Sequence, residues 1–123
     1  MGFFGKKEKK EYNYLELTPQ VNYKHEIRDD GLFDVLVPKF NNKTLEKLLI
    51  PSSKSPFIKA NLDEFGTAAW RLIDGNNKVK SIADMLLEEF GEKIQPVYDR
   101  LTLFLTNLYK NGFIHFIEIT ERK

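Results

Sequence analysis

The sequence predicts an α+β fold, in which a three-stranded antiparallel sheet packs on a three-helix winged helix-turn-helix bundle with a C-terminal strand. Three observations support this prediction. Residues 23–37 alternate between apolar and polar side chains, as half-buried strands do. Residues 62–112 contain three helical periods of apolar residues, each ended by a glycine. A short apolar run that is typical of a closing strand follows at residues 113–119.

Length and composition narrow the class of protein. A chain of 123 residues is long enough for one domain with its own core, and an apolar fraction of 41% excludes disorder over the whole length. The lack of cysteine excludes disulfides, thiolate metal sites and cysteine nucleophiles, and it agrees with a cytoplasmic location. A formal net charge of +1 gives no overall attraction to nucleic acid, and no apolar run is long enough for a membrane span.

The domain organisation follows from a change in composition near residue 12. Residues 1–11 are rich in lysine, and we expect them to form a flexible basic N-terminal tail. Residues 12–123 are expected to form a single domain. Within it, residues 44–49 form either a short helix, which we prefer, or an apolar strand, and a loop rich in proline and serine follows.

The strands are predicted from alternation and from turn residues. The alternating apolar positions of the first two strands are Tyr23, His25, Ile27, Phe33, Val35 and Val37. Gly31 supplies the positive φ of the turn between these strands, and Pro38 ends the second one because it cannot donate to a ladder. The third strand is predicted at Phe57, Ile58, Lys59 and Ala60.

The first two helices have recognisable ends. Asp63 can cap the first helix with its carboxylate, and Gly75 is expected to end it. The second helix is predicted to have Ser81 as its cap and Gly91 as its last residue. Trp70 lies at the border of the apolar face of the first helix, and we expect it in the core.

The third helix carries two apolar stripes. It has Pro96 near its first position and ends at Gly112. One stripe consists of Val97, Leu101, Phe104 and Leu108, and the second consists of Tyr98, Thr102, Leu105 and Tyr109. Either the second stripe faces a ligand, or it is covered by the closing strand or by residues 41–55. If it faces a ligand, Leu105→Asp weakens binding with little unfolding, whereas Phe104→Asp unfolds the domain.

Motifs for catalysis or cofactor binding are absent from the sequence. His25 and His115 stand alone on predicted strands, without a second ligand at metal spacing. The sequence contains no glycine-rich phosphate loop, no nucleophile elbow and no positioned acid–base pair. We therefore expect a protein that is not an enzyme and that holds no metal and no cofactor.

Several segments in order resemble a known family. The block LDEFGTAAWRLIDG, a helix that enters near Val79 and Ile82, and the block FLTNLYKNGFI are similar to the PqqD-like family, named after pyrroloquinoline quinone biosynthesis protein D. The resemblance covers Tyr23 to Ile117. It implies the fold given above, which is also called the recognition element of ribosomally made, modified peptides. It also implies a partner, the leader segment of a precursor peptide, which is presented to a modifying enzyme such as a radical SAM protein.

The resemblance further implies a binding site. The leader adds as a strand beside the third strand, so the peptide-binding residues on that strand are Phe57, Ile58, Lys59 and Ala60. The residues that face the leader from the third helix are Tyr98, Thr102, Leu105 and Tyr109. Unpaired backbone groups at an edge strand favour this mode, although the same edge also suits a homodimer. Residues 41–55 are an insertion relative to shorter members, and they either cover the groove or contact a partner.

Two other functions agree with the same elements. A winged-helix DNA-binding regulator has a similar arrangement of helices, but the sequence argues against nucleic acid as a partner. The N-terminal part of the third helix has a single arginine, and the four arginines of the chain are scattered: Arg28, Arg71, Arg100 and Arg122. The other alternative is a structural subunit that docks on a partner protein through its apolar edge.

Overall fold

The structure, a computed structural model, describes residues 13–39 and 56–120. The strands are β1 (Pro19–Val21), β2 (His25–Ile27), β3 (Phe33–Pro38), β4 (Phe57–Asn61) and β5 (Ile114–Phe116). The helices are α1 (Glu64–Leu72), α2 (Val79–Phe90), α3 (Val97–Lys110) and a short α4 (Ile117–Thr120), with 3₁₀ turns at Tyr14–Glu16 and Gly91–Ile94. The expectations for the tail at 1–11 and for residues 41–55 lie outside the described residues.

Strands β2, β3 and β4 form the predicted three-stranded antiparallel sheet, with β3 in the middle. The turn between β2 and β3 contains Gly31 with a φ of 88°, as the sequence predicts. Val35 on β3 lies opposite His25 on β2 and opposite Ala60 on β4. The third strand is confirmed and extends one residue further than predicted, to Asn61.

The C-terminal strand is shorter than predicted and belongs to a second sheet. Strand β5 pairs with β1, and Gln20 lies opposite His115 in this ladder. The predicted strand at residues 113–119 is wrong at both ends, because only 114–116 are extended and 117–120 form α4. The Ile117 N–H donates to the Thr18 carbonyl at 2.9 Å. The Thr18 N–H and hydroxyl both donate to the Glu118 carboxylate, and these bonds anchor the chain where α4 begins.

Helix α1 starts as predicted and ends early. The Oδ1 atom of Asp63 accepts a hydrogen bond of 2.7 Å from the Gly66 N–H, so Asp63 is the cap. The helix ends at Leu72 and not at Gly75. The reason is local, since the Asn77 side-chain amide donates to the Leu72 carbonyl and thus satisfies a group that a longer helix would use.

Helix α2 ends as predicted and starts early. Gly91 is the C-terminal cap, with a φ of 65°. The helix starts at Val79, so the prediction of Ser81 as the cap is wrong. The Val79 N–H donates to the Leu17 carbonyl at 2.9 Å, and this backbone group from the N-terminal part of the chain replaces a side-chain cap.

The core lies between the three long helices and the inner faces of the two sheets. Its largest fully buried side chains are Ile73, Ile82, Leu86, Leu101, Leu105, Ile114, Val35 and Val79. Trp70 is 2% exposed, which confirms the prediction that it belongs to the core. Within residues 13–39 and 56–120, none of the helices combines the length and the apolar character that crossing a bilayer requires.

Candidate functional site

Strand β4 is an edge of the three-stranded sheet in the part of the chain that the structure describes. Two backbone hydrogen bonds determine which N–H and C=O groups of β4 face β3. The Leu62 N–H donates to the Phe33 carbonyl, and the Lys39 N–H donates to the Pro56 carbonyl, both at 2.9 Å. In an antiparallel ladder, bonded and non-bonded pairs alternate along the strand. These two bonds therefore set the alternation for every residue between them.

Within residues 13–39 and 56–120, the alternation leaves the backbone groups of Lys59 and Asn61 without a partner strand. Ile58 and Ala60 belong to bonded pairs, so their N–H and C=O groups point toward β3. The N–H and C=O groups of Lys59 and Asn61 therefore point away from the sheet. A further strand could bind to them without any change in the existing ladder.

The side chains of β4 alternate between the two faces of the sheet. Ala60 lies opposite the buried Val35 and packs against the core, so this face is turned toward the helices. Ile58 lies on the same face and is 56% exposed. Lys59 lies on the other face, where its Nζ atom is 3.1 Å from the Glu26 carboxylate. The helix-facing side of the edge is thus apolar and the opposite side is charged.

A polar network holds β4 in place on the face of the sheet that is turned away from the helices. Asp34 is at its centre, since its Oδ1 atom accepts hydrogen bonds from Arg28 Nη1 at 2.8 Å and from Asn61 Nδ2 at 2.6 Å. The bond from Arg28, together with that from Asn61, lowers the pKa of Asp34, and the bond to Asp34 raises the pKa of Arg28. The network connects the β2–β3 turn to the end of β4.

Helix α3 approaches the end of β4 through Phe104. The ring of Phe104 meets the ring of Phe65 edge-on, with 5.9 Å between their centroids. A Cβ atom at Gly66 would lie 3.4 Å from Phe104 Cε1 and 3.3 Å from Leu62 Cβ. Gly66 thus lies between Phe104 of α3 and Leu62, which directly follows β4.

These contacts bring one flank of the third helix close to the end of the edge strand. We use the name β4–α3 groove for the surface formed by Ile58, Ala60, Leu62, Gly66 and Phe104. Arg100 and Asn107 extend the same flank of α3, at i−4 and i+3 from Phe104, and Leu103 lies about 100° around the helix from Phe104. Leu103 is 65% exposed and Ile58 is 56% exposed, so both α3 and β4 carry exposed apolar surface.

The predicted division of α3 into two stripes is wrong at one position. Leu105, predicted in the ligand-facing stripe, is fully buried, so it cannot contact a ligand. Phe104, predicted in the core stripe, is partly buried and packs against the core. The buried face of α3 is centred on Val97, Leu101 and Leu108, and Leu105 lies next to them around the helix. The expectation for Leu105→Asp therefore changes: this variant should unfold the domain, because it places a charge in the core.

The other predicted α3 residues lie away from β4. Tyr109 packs on Phe116 of β5, with 5.3 Å between the ring centroids, and Thr102 lies beside Tyr14. Together with Tyr98 they are turned about 120–160° around the helix from Phe104. The closing strand and the first 3₁₀ turn contact this side of α3, but Tyr98 and Tyr109 remain 43% and 45% exposed, so a ligand-facing role for these two residues stays a prediction.

Tyr14 is a partly buried titratable group on that side of α3. Burial raises the pKa of the Tyr14 hydroxyl, and the nearby Thr102 side chain only partly opposes the rise. The hydroxyl has no hydrogen-bond partner of good geometry among residues 13–39 and 56–120.

The two histidines have structural contacts. The Trp70 Nε1–H donates to His25 Nδ1 at 3.3 Å, and the His25 ring stacks on Phe33 at 4.0 Å. His115 Nδ1 lies 2.6 Å from the Asn22 Oδ1 atom. Among the described residues, no three His, Asp or Glu side chains are placed to hold a metal ion.

Sequence reasoning did not single out the α3 residues that lie near the end of β4. Phe104 was assigned to the core, Arg100 to no site, and Gly66 was not considered. A glycine inside a helix costs about 1 kcal/mol relative to alanine, so Gly66 was a signal of close packing at this position. A Cβ atom there would lie 3.1 Å from Asp63 Oδ1, 3.3 Å from Leu62 Cβ and 3.4 Å from Phe104 Cε1.

Comparison with known families gave a match. Residues 58–114 match the family model described as coenzyme PQQ synthesis protein D (PqqD). The matched segment starts in β4 and ends at the first residue of β5, so it contains both sides of the groove. The resemblance predicted for Tyr23 to Ile117 is thus confirmed over 58–114. Comparisons with curated proteins and with solved structures gave no significant match.

Proposed function

Because this chain is PqqD-like over residues 58–114, we propose that it is a non-catalytic adaptor for a ribosomally made precursor peptide. It binds the leader segment of that peptide and presents it to a modifying enzyme, such as a radical SAM protein. The observation that carries this proposal is the open edge of β4 beside the apolar β4–α3 groove. Edge strands with apolar pockets next to them are a recurrent site for extended peptides.

The leader segment pairs with the outward N–H and C=O groups of Lys59 and Asn61. These bonds are made by the peptide backbone, so they hold many sequences equally well. Alternate side chains of the leader point into the groove, where they contact Ile58, Ala60 and Phe104. Selectivity thus comes from apolar side chains two positions apart in the leader.

The proposed site keeps the predicted strand and replaces the predicted helix residues. Ile58 and Ala60 contribute side chains, Lys59 contributes its backbone, and Phe57 lies on the face away from the groove. On α3, Phe104 and Leu103 replace Tyr98, Thr102, Leu105 and Tyr109.

A chemical-shift titration tests the proposal. Synthetic peptides encoded by short open reading frames next to the gene are added to the ¹⁵N-labelled protein. We expect shifts at Lys59, Asn61 and Phe104 at submillimolar peptide. Shifts confined to Tyr98 and Tyr109, or none with any of the peptides, would contradict the proposed site.

A proline substitution separates the backbone of Lys59 from its side chain. Lys59→Pro removes the outward N–H, which is not used inside the sheet, so the fold tolerates it better than proline at a bonded position. Lys59→Ala keeps the N–H and removes the ion pair with Glu26. We expect Lys59→Pro to weaken peptide binding about tenfold, and Lys59→Ala to change it about twofold or less. Equal effects would mean that the side chain binds the peptide.

A second pair of variants tests the apolar side of the edge. Ile58 on β4 and Ile27 on β2 are both exposed isoleucines on edge strands of the same sheet. Ile58→Lys is expected to abolish peptide binding, because it places a charge in the apolar groove. Ile27→Lys is the matched control, and we expect wild-type affinity.

The described arginines give little support to DNA binding. Arg28 bonds to Asp34, and the guanidinium carbons of Arg71 and Arg100 lie over the rings of Phe33 and Phe65 at 5.2 and 4.8 Å. Phosphate contacts need several cations on one face. A mobility shift of duplex DNA that persists at physiological salt would favour the DNA alternative.

A further inference from the structure

A cavity of about 410 Å³ lies next to the β4–α3 groove, between the start of α1, the end of α2 and the start of α3. Its lining is apolar at one part and charged at another. The apolar residues are Phe65, Phe90 and Ile94, and the charged residues are Asp63, Glu64, Lys93 and Arg100. The cavity is therefore suited to a side chain with an apolar stem and a charged end.

Arg100 is held in a fixed position in this cavity. Its guanidinium carbon lies 4.8 Å from the centroid of the Phe65 ring, and its Nη1 atom donates to the Lys93 carbonyl at 3.3 Å. No carboxylate among residues 13–39 and 56–120 forms an ion pair with it. A guanidinium that is stacked on one face keeps N–H groups at its edge, and these can bind a carboxylate with two parallel bonds.

The lining carries two negative and two positive side chains, so it has no net charge. The Asp63 carboxylate accepts a hydrogen bond of 2.7 Å from the Gly66 N–H as the cap of α1. Glu64 has no ion-pair partner among the described residues, so it opposes the binding of an anion. A carboxylate would therefore be bound by direct hydrogen bonds from Arg100 and Lys93, and not by an overall positive potential.

Phe104 connects the cavity to the groove. Its ring contacts Phe65, which lines the cavity, and lies close to Gly66, which lines the groove. A peptide strand antiparallel to β4 runs from the Asn61 end toward the Phe57 end. The peptide residues that precede the paired segment therefore pass the cavity.

We propose that the precursor peptide carries an aspartate or glutamate a few residues before the segment that pairs with β4, and that Arg100 and Lys93 bind its carboxylate. Phe65, Phe90 and Ile94 contact the apolar part of the same side chain. This inference rests on the proposed function, because it assumes that a peptide occupies the β4–α3 groove. It adds a charged position to a site that is otherwise apolar.

Selection from a phage-displayed library of random twelve-residue peptides tests the adaptor function and the acidic position of the peptide separately. With the wild-type protein we expect enriched peptides to share two apolar residues at i and i+2, preceded by Asp or Glu at a fixed spacing. With Arg100→Gln the apolar pair is still enriched and the acidic position is lost. Arg71→Gln removes an exposed arginine outside the cavity, so it serves as the matched control and selects the same peptides as wild type.

Synthetic copies of one enriched peptide with Glu or Gln at the acidic position then give the size of the effect. We expect the wild-type protein to prefer Glu about fivefold, Arg100→Gln to show no preference, and Glu64→Gln to increase the preference about twofold. Circular dichroism checks that each variant is folded.

The possible failures of this experiment are distinguishable. If the apolar pair is enriched without an acidic position, or if Arg100→Gln keeps the preference for Glu, the inference is wrong and the adaptor function stands. If no peptide is enriched, both are wrong.

Discussion

The carboxylate of Glu118 accepts two hydrogen bonds from Thr18, one from its backbone N–H and one from its hydroxyl, each 2.7 Å long. The two residues are 100 positions apart in the sequence. Burial alone would raise the pKa of Glu118, but the bonds from Thr18 outweigh it, and the pKa of this carboxyl is lowered. The ionised form of Glu118 therefore stabilises the contact between β1 and α4.

Stability is expected to fall in acid because of this contact. A carboxyl with a lowered pKa stabilises the fold above its ordinary value of 4.5, and this stabilisation is lost as the pH falls through the lowered pKa. Thermal unfolding between pH 7 and pH 3 measures the effect. Glu118→Gln keeps the shape and removes the titration, so its melting temperature should depend less on pH than that of the wild type. An unchanged slope would show that the bonds to Thr18 do not depend on the charge.

Thr67 is expected to contribute strongly to stability. Its Oγ1 atom accepts a hydrogen bond of 3.0 Å from the Phe33 N–H, and this bond is buried between α1 and β3. Thr67→Val keeps the shape but leaves the N–H without an acceptor, which costs about 1–3 kcal/mol. Thr106→Val on α3, at a partly exposed position, is the control, with an expected change within about 0.5 kcal/mol. Urea unfolding measures both, and equal costs would contradict the assigned role.

Leu105 and Leu103 are expected to respond differently to truncation. Leu105 is fully buried, so Leu105→Ala should lower the free energy of unfolding by about 2–5 kcal/mol. Leu103 is 65% exposed, so Leu103→Ala should change it by about 0.5 kcal/mol or less and should instead weaken peptide binding. Urea unfolding and peptide titration of both variants separate the two effects. The reverse pattern would return Leu105 to the ligand-facing side of α3.

Local signals explain why most of the sheet and helices could be predicted. The positive φ of Gly31 and the cap at Asp63 depend only on residues a few positions away in the chain. A local sequence pattern is therefore sufficient to predict them. The alternation along β3 likewise reports which side chains are buried. The edge strand β4 was predicted by the same argument and is present.

Contacts between distant residues explain why the burial of individual α3 residues could not be predicted. Leu105 and Phe104 are both large and apolar, so helical spacing alone cannot decide which of them is buried. Tyr14 and Phe116 are about 100 positions apart in the chain, and they pack together beside Thr102 and Tyr109 of α3. The cap predicted at Ser81 failed for the same kind of reason, because a backbone carbonyl from Leu17 replaced it.

The pairing of β1 with β5 also determines the order in which parts of the fold can form during translation. On the ribosome, Thr18 is synthesised 100 residues before Glu118, which at roughly 5–20 residues per second is on the order of 5–20 seconds. Throughout this interval β1 lacks its partner strand, because β5 is synthesised only a few residues after α3. The sheet of β1 and β5 can therefore close only after all three long helices have been synthesised, and we expect it to be the last of the described strand pairs to form.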